Sequence, residues 1–237
     1  MRFVCLLLTI LIFGAGISPA ETTIERKVSL GGQQTGGNTA VQSLHMDFKL
    51  NRNRKWVDET TIKGSLDQEF SAGAETQNKA SGSGRFARSI NKQFFHYAKL
   101  QAEHDRFQDL NIRIIPTIGF GYWFHEDDIF KSTLEGALGY QKEYLISGGV
   151  NETALVTVSS DILWGVFTNN LDVYASATDL DNYRFTNESK LKIKLNTHYS
   201  FKLSLKDEYN NRPAAGVQKN DAAFTTGLEF AFKETKS

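Results

Sequence analysis

The chain has 237 residues, with 27 basic and 27 acidic groups, nineteen glycines, three prolines and one cysteine, a length that suits one large domain or two small ones. Its balanced charge leaves no basic surplus to neutralise phosphates, which argues against nucleic acid as a partner. The one cysteine, Cys5, lies in the first stretch of the chain, so no disulfide scaffold, thiol nucleophile or thiolate metal site is available after it.

In chain order, Arg2 is a short positive segment, residues 3–13 are apolar, and a small-residue stretch ends Ser18-Pro19-Ala20, a pattern expected of a cleaved signal peptide over residues 1–20. About eleven apolar residues are too few for a spanning helix, which needs about twenty. Loss of Arg2 leaves 26 basic against 27 acidic groups, a formal net of −1 over residues 21–237. No later apolar run reaches helical membrane length, which excludes a helical membrane protein but not a barrel, whose strands are apolar only at alternate positions.

From Arg26 a glycine-rich strand leads to Gly36-Gly37-Asn38, residues that tolerate the positive φ of a tight turn. A phosphate-cradling loop would need a lysine-serine pair and a helix start after it, and neither follows. Residues 40–50 alternate Leu44, Met46, Phe48 and Leu50 with Ser43, His45, Asp47 and Lys49. The period of two is that of a strand with unlike faces. A third strand is expected over 56–70, a polar loop over 71–78, a fourth strand over 79–90 and a fifth over 94–106. In the sixth, Ile112, Ile114, Pro116, Ile118, Phe120, Tyr122 and Phe124 form an unbroken apolar ladder, while Ile115 and Trp123 interrupt the polar one. Its aromatic end resembles a membrane-interface girdle. His125-Glu-Asp-Asp128 has the chemistry of a cation site but reads first as an acidic hairpin tip, and no metal site is expected there.

Strands over 130–144, about 154–166 and 171–180 follow. The tenth sets Tyr183, Phe185, Leu191, Ile193 and Leu195 against Arg184, Glu188, Lys190, Lys192 and Lys194. Cations in such a row need water or carboxylates, and Glu103, Glu135 and Glu229 are the expected partners. The stretch 198–207 puts Tyr199, Phe201, Leu203 and Leu205 opposite His198, Ser200, Lys202, Ser204 and Lys206. After a loop over 210–220, a last strand spans 222–233.

These segments predict an all-β, single-domain, antiparallel up-and-down transmembrane β-barrel of about twelve strands, an even number as single-chain bacterial barrels have. Apolar ladders would face lipid. Lys99, Glu103, Arg113, Lys131, Glu135, Lys190, Lys192, Lys194, Lys202, Lys206 and Glu229 would line the lumen, either plugging it with ion pairs or leaving a charged aqueous path. The alternative is a secreted soluble barrel or sandwich binding a small hydrophobic ligand, which demands the opposite orientation. An outer-membrane hydrolase is a third reading. His45, His96, His104, His125 and His198 have no nucleophile motif near them, so no catalytic residue and no cofactor is expected.

Four stretches carry a resemblance: 30–39 with its glycine pairs; 106–113 leading into Gly119-Phe120-Gly121-Tyr122; 178–184 with Asn187 and Glu188; and 203–209 with the Asn210-to-Pro213 loop and Asp221. In this order and spacing the chain resembles the bacterial salt-induced outer membrane proteins, domain of unknown function (DUF) family 481. The resemblance implies a barrel in the bacterial outer membrane, with outer-membrane lipid and the barrel-assembly machinery as partners; if the lumen is an open path, the lysines of the tenth and eleventh strands point to a small polar or anionic solute as passenger. It carries no catalytic residues. Phe232 is followed by Lys-Glu-Thr-Lys-Ser, whereas many barrels end on an aromatic.

Overall fold

The structure, a computed structural model, describes residues 21–34, 41–71, 73–126, 129–213 and 217–236. The signal-like segment, the Gly36-Gly37-Asn38 turn and the Asp127-Asp128 pair lie outside the described residues. Twelve strands are present: β1 (Thr22–Gln34), β2 (Val41–Arg54), β3 (Asp58–Ser71), β4 (Ala74–Ser89), β5 (Phe94–Asp105), β6 (Leu110–Glu126), β7 (Phe130–Leu145), β8 (Val150–Trp164), β9 (Phe167–Ser176), β10 (Tyr183–Lys194), β11 (Tyr199–Asn210) and β12 (Asn220–Lys236). Each pairs antiparallel with its neighbours in sequence, and β1 pairs with β12 to close the barrel. Closure pairs both strands that would otherwise be open edges.

The end where β1 starts and β12 finishes carries connections of two to four residues; the opposite end reaches nine residues over 211–219. We call these the turn end and the loop end.

Period-two alternation decides which way each side chain points. Ile118, Phe120 and Leu138 are about two-thirds exposed, at 65%, 66% and 65%, whereas Lys202 is only 4% exposed. Side chains from strands that are not neighbours meet: Arg184 of β10 reaches Glu103 of β5 at 3.4 Å, Arg85 of β4 reaches Glu135 of β7 at 2.7 Å, and Lys202 of β11 reaches Asp47 of β2 at 2.5 Å. Such contacts can be made only across the barrel interior. The apolar faces therefore point out and the ionic ones in, the reverse of what a soluble ligand-binding barrel requires.

Aromatic pairs flank the outer apolar belt at both ends. Phe94, Tyr122 and Phe124 stack edge to face at 4.9 and 5.0 Å, and Tyr199, Phe230 and Phe232 form a second group at the turn end. Tyr183 and Phe185 both lie against Tyr209 towards the loop end, at 5.8 and 5.3 Å. Aromatic residues favour these two heights because their rings suit the boundary between hydrocarbon and water.

Ile115 and Trp123, which break the polar parity of β6, both face the interior. Ile115 is wholly buried with Leu155 and Tyr174, and Trp123 packs on a cluster of Ala87, Phe95, Tyr97 and Ala137. The inner wall thus carries two apolar patches among its ion pairs.

Several segment expectations need correction. The eighth and ninth strands are Val150–Trp164 and Phe167–Ser176 rather than about 154–166 and 171–180, because the chain turns at Gly165, with φ 58°, and Asn169 and Asn170 lie in the β8–β9 ladder. Trp56 lies in the β2–β3 turn with φ 64°, and β3 starts at Asp58. Most of the expected polar loop over 71–78 is strand, since β4 begins at Ala74. Towards their loop-end tips β3 and β4 carry polar side chains on both faces, so no alternation marks them. Thr76 donates to Glu69 at 2.9 Å and Asn78 to Glu75 at 2.8 Å. β12 is also longer at both ends than the expected 222–233. Strands that project beyond a bilayer need no apolar face, and the sequence pattern fades where they do.

Candidate functional site: the charged lumen

The inward side chains form rows because antiparallel register places residues on adjacent strands directly opposite one another. In the clearest row, Glu103 on β5, Arg113 on β6 and Glu143 on β7 are in register, and the Arg113 guanidinium donates to both carboxylates, at 2.7 and 2.6 Å. Arg184 adds a third contact to Glu103 from across the lumen and lies 4.4 Å above the Tyr174 ring. A second row runs His45, Asp67, Lys79, Asp105 over β2 to β5. Lys79 also reaches across to Glu208, which takes Lys206 at 3.1 Å. Glu188 lies opposite Lys206, bonds Lys190 at 2.7 Å and accepts from Ser204 at 3.0 Å. Lys192 pairs with Glu229.

Of the residues expected in the lumen, Glu103, Arg113, Glu135, Lys190, Lys192, Lys202, Lys206 and Glu229 stand on the inward faces in these ion pairs. Lys99 shares the inward face of β5 with Gln101, which accepts from the Tyr174 hydroxyl at 3.0 Å. Lys131 is on the inward parity of β7 with Glu135, and Lys194 ends β10 near the turn-end mouth, where it is exposed. One pairing differs from expectation. Glu135 serves no lysine of β10; it takes Arg85, whose guanidinium also covers the Tyr97 ring at 4.8 Å. The three-strand offset between β10 and β7 around the wall is not readable from sequence alone.

Sequence reasoning missed Arg85, Lys79, and the lysines Lys27, Lys49 and Lys63. Lys49 was visible on the polar face of its strand. Its significance depends on which residues lie beside it, and that requires the register.

Two recesses open from the ends. One, about 580 Å³ and open to solvent, lies towards the loop end between Lys79, Glu103, Arg113, Arg184, Glu208 and Lys219. The other, about 380 Å³, lies at the turn end beside Arg85, Phe95 and Trp123. The loop-end rim is tied together: Asp109, at φ 57°, accepts from the Ser147 backbone N–H at 2.8 Å, Arg212 pairs with Asp179 at 2.6 Å, and Asn211 donates to the Asp181 carbonyl at 2.6 Å. Asp109, Asp179, Asp181, Asn211 and Arg212 all belong to the sequence stretches singled out above, so those stretches are largely the interlocked rim.

His45 comes nearest to a catalytic arrangement. Its Nε2 lies 3.0 Å from Asp47 and its Nδ1 faces Asp67. With a carboxylate at each ring nitrogen, both nitrogens must donate, and neither lone pair is free to take a proton from a nucleophile. His104 uses Nδ1 on the Asn111 carbonyl at 2.7 Å, and His198 packs against Phe230 and Phe232. His125 lies against Phe130, with Asp127 and Asp128 of its acidic turn outside the described residues.

A closed antiparallel barrel of twelve strands, apolar outside and ionic within, is a transmembrane β-barrel. A family model described as "Protein of unknown function, DUF481" matches residues 28–232, and the chain belongs to that family. No curated protein matches it. Among solved structures it is similar to the NanC porin, with TM-score 0.53 and 10% identity over 87% of this chain and 98% of that one. It is also similar to the translocator domain of the autotransporter NalP from Neisseria meningitidis, with TM-score 0.44 and 8% identity over 98% and 94% of the two chains. The anion-selective porin from Comamonas acidovorans matches at TM-score 0.34 and 12% identity over 91% and 98%. The NanC likeness is one of fold.

Proposed function

We propose that the protein is a bacterial outer-membrane barrel whose ionic lumen gives small polar or anionic solutes a narrow, constricted path, and that it has no catalytic role. The observation that carries this reading is the set of ion pairs spanning the interior between strands that are not neighbours: a wall this polar is solvated or self-paired, and its partners can exchange for a passing ion. Outer-membrane lipid would surround it, and the barrel-assembly machinery would insert it. In an outer membrane the short connections of the turn end would face the periplasm, as such barrels usually have them.

Refolded protein in planar bilayers tests the path. Small discrete currents are expected, and Glu103→Ala combined with Arg113→Ala should enlarge them by removing the best-formed row. Absence of current from both proteins would reduce the role to a structural or binding one. Outer-membrane fractionation and heat-modifiable gel migration test the location; recovery in the soluble fraction would overturn it.

A further inference from the structure

Many charges on the inner wall stand in register beside opposite charges. Glu103–Arg113–Glu143 and His45–Asp67–Lys79–Asp105 alternate in sign across adjacent strands. Lys27 on β1, Lys49 on β2 and Lys63 on β3 do the opposite: Lys27 is directly opposite Lys49, and Lys49 is directly opposite Lys63. Each stands five residues from the turn-end limit of its strand, so the three form a level row inside the barrel. Directly opposed side chains have Cβ atoms roughly 4.5–5.5 Å apart, and like charges there repel.

Two nearby carboxylates, Glu25 and Glu59, stand against the three ammonium groups, so the row keeps a net positive charge. Lys27 pairs with Glu25 at 2.8 Å, and Glu59 is occupied by Asn51 at 2.6 Å and Thr61 at 3.0 Å. Among the described residues, no carboxylate forms an ion pair with Lys49 or Lys63. Other like-charged neighbours are pairs rather than a row of three: Lys192 opposite Lys202, matched by Glu229 and Asp47, and Arg85 opposite Lys99, with Arg85 matched by Glu135. Ser83 on β4 lies opposite Lys63 and extends the row with a hydroxyl donor.

From this we infer that Lys27, Lys49 and Lys63, with Ser83, form an oxyanion-binding station on the β1–β4 wall, taking the phosphate, sulfate or carboxylate group of a small solute. Three ammonium groups side by side present many N–H donors at a spacing that one multi-oxygen anion can bridge, and such an anion relieves their repulsion. Chloride, with a single atom, bridges them less well. The inference rests on the aqueous-path reading for how the anion arrives, but the station would bind whether or not ions pass through.

Unfolding midpoints in detergent, measured with inorganic phosphate or with chloride at equal ionic strength, test it. Phosphate is expected to raise the midpoint of the wild type and of Lys49→Arg/Lys63→Arg, and to leave Lys49→Gln/Lys63→Gln unmoved. Without phosphate, the glutamine variant should unfold at a higher midpoint than the wild type, because repulsion has been removed; a merely structural role for the lysines predicts a lower one. Equal phosphate shifts in wild type and glutamine variant, no shift in either, or a glutamine variant that fails to fold would each overturn the inference. Reversal potentials in a salt gradient separate the two readings. Phosphate binding without current leaves the station and removes the path; current with a reversal potential unchanged in the glutamine variant leaves the path and removes the station.

Discussion

Arg113 is held from both sides. Its two carboxylate partners lie on the strands either side of it, and all three side chains are at least four-fifths buried in the wall. Replacing it leaves Glu103 and Glu143 without their shared counter-charge, and unpairing a buried charge of this kind costs about 3 kcal/mol. Arg113→Met should lower the stability of the refolded barrel by that order in urea unfolding, and adding Glu143→Gln should recover part of the loss. If the single and double variants unfold alike, the row contributes little. The identity of Arg113 as an inward cation was readable from the parity of β6. Its two partners were not, because they depend on the register of three strands.

Two glycines show how a strand's fit to its neighbour is set. Gly121 on β6 lies directly opposite Phe95 on β5, and a Cβ there would enter the Phe95 ring. Gly84 on β4 faces open space, with nothing near the position its Cβ would take. Gly121→Val should therefore destabilise the barrel by about 1–3 kcal/mol through overpacking. Gly84→Ala should be neutral or stabilise it by roughly 0.5 kcal/mol, because alanine loses less backbone freedom. Unfolding midpoints of the two variants check this contrast, and a similar loss in both would contradict it. On the outer face the Phe48 ring covers Gly64 in the same way, in register across β2 and β3. A single sequence marks such glycines only as breaks in a pattern. That each one makes room for a particular ring on the next strand is a property of the pairing.

The whole molecule presents hydrocarbon-facing apolar residues outside and a solvated or ion-paired interior. Lysine at the midplane of a lipid-facing wall costs about 2–4 kcal/mol. Leu138→Lys, on an outer position 65% exposed, should lower unfolding stability in lipid by that order and reduce the heat-modifiable folded band. The change should matter far less for a protein whose exterior is water, so a harmless Leu138→Lys would count against membrane insertion.

Alternation, clearest along β2, β6, β10 and β11, marked strands with two unlike faces and predicted about twelve of them, whereas the ion pairs across the lumen decided which face looks inward. Each side chain's face follows from a period of two that is local to the chain. Ile115 and Trp123 were visible as interruptions, but their role as apolar patches within the lumen was not. The wet, two-sided polar tips of β3 and β4 were lost because nothing there enforces alternation. Tertiary structure alone decided which charge stands beside which: that Glu135 answers Arg85, that Glu103 and Glu143 share Arg113, and that Lys27, Lys49 and Lys63 stand side by side in one row. The physical reason is that these neighbours lie on different strands, and only the register of closed antiparallel pairing fixes their distance.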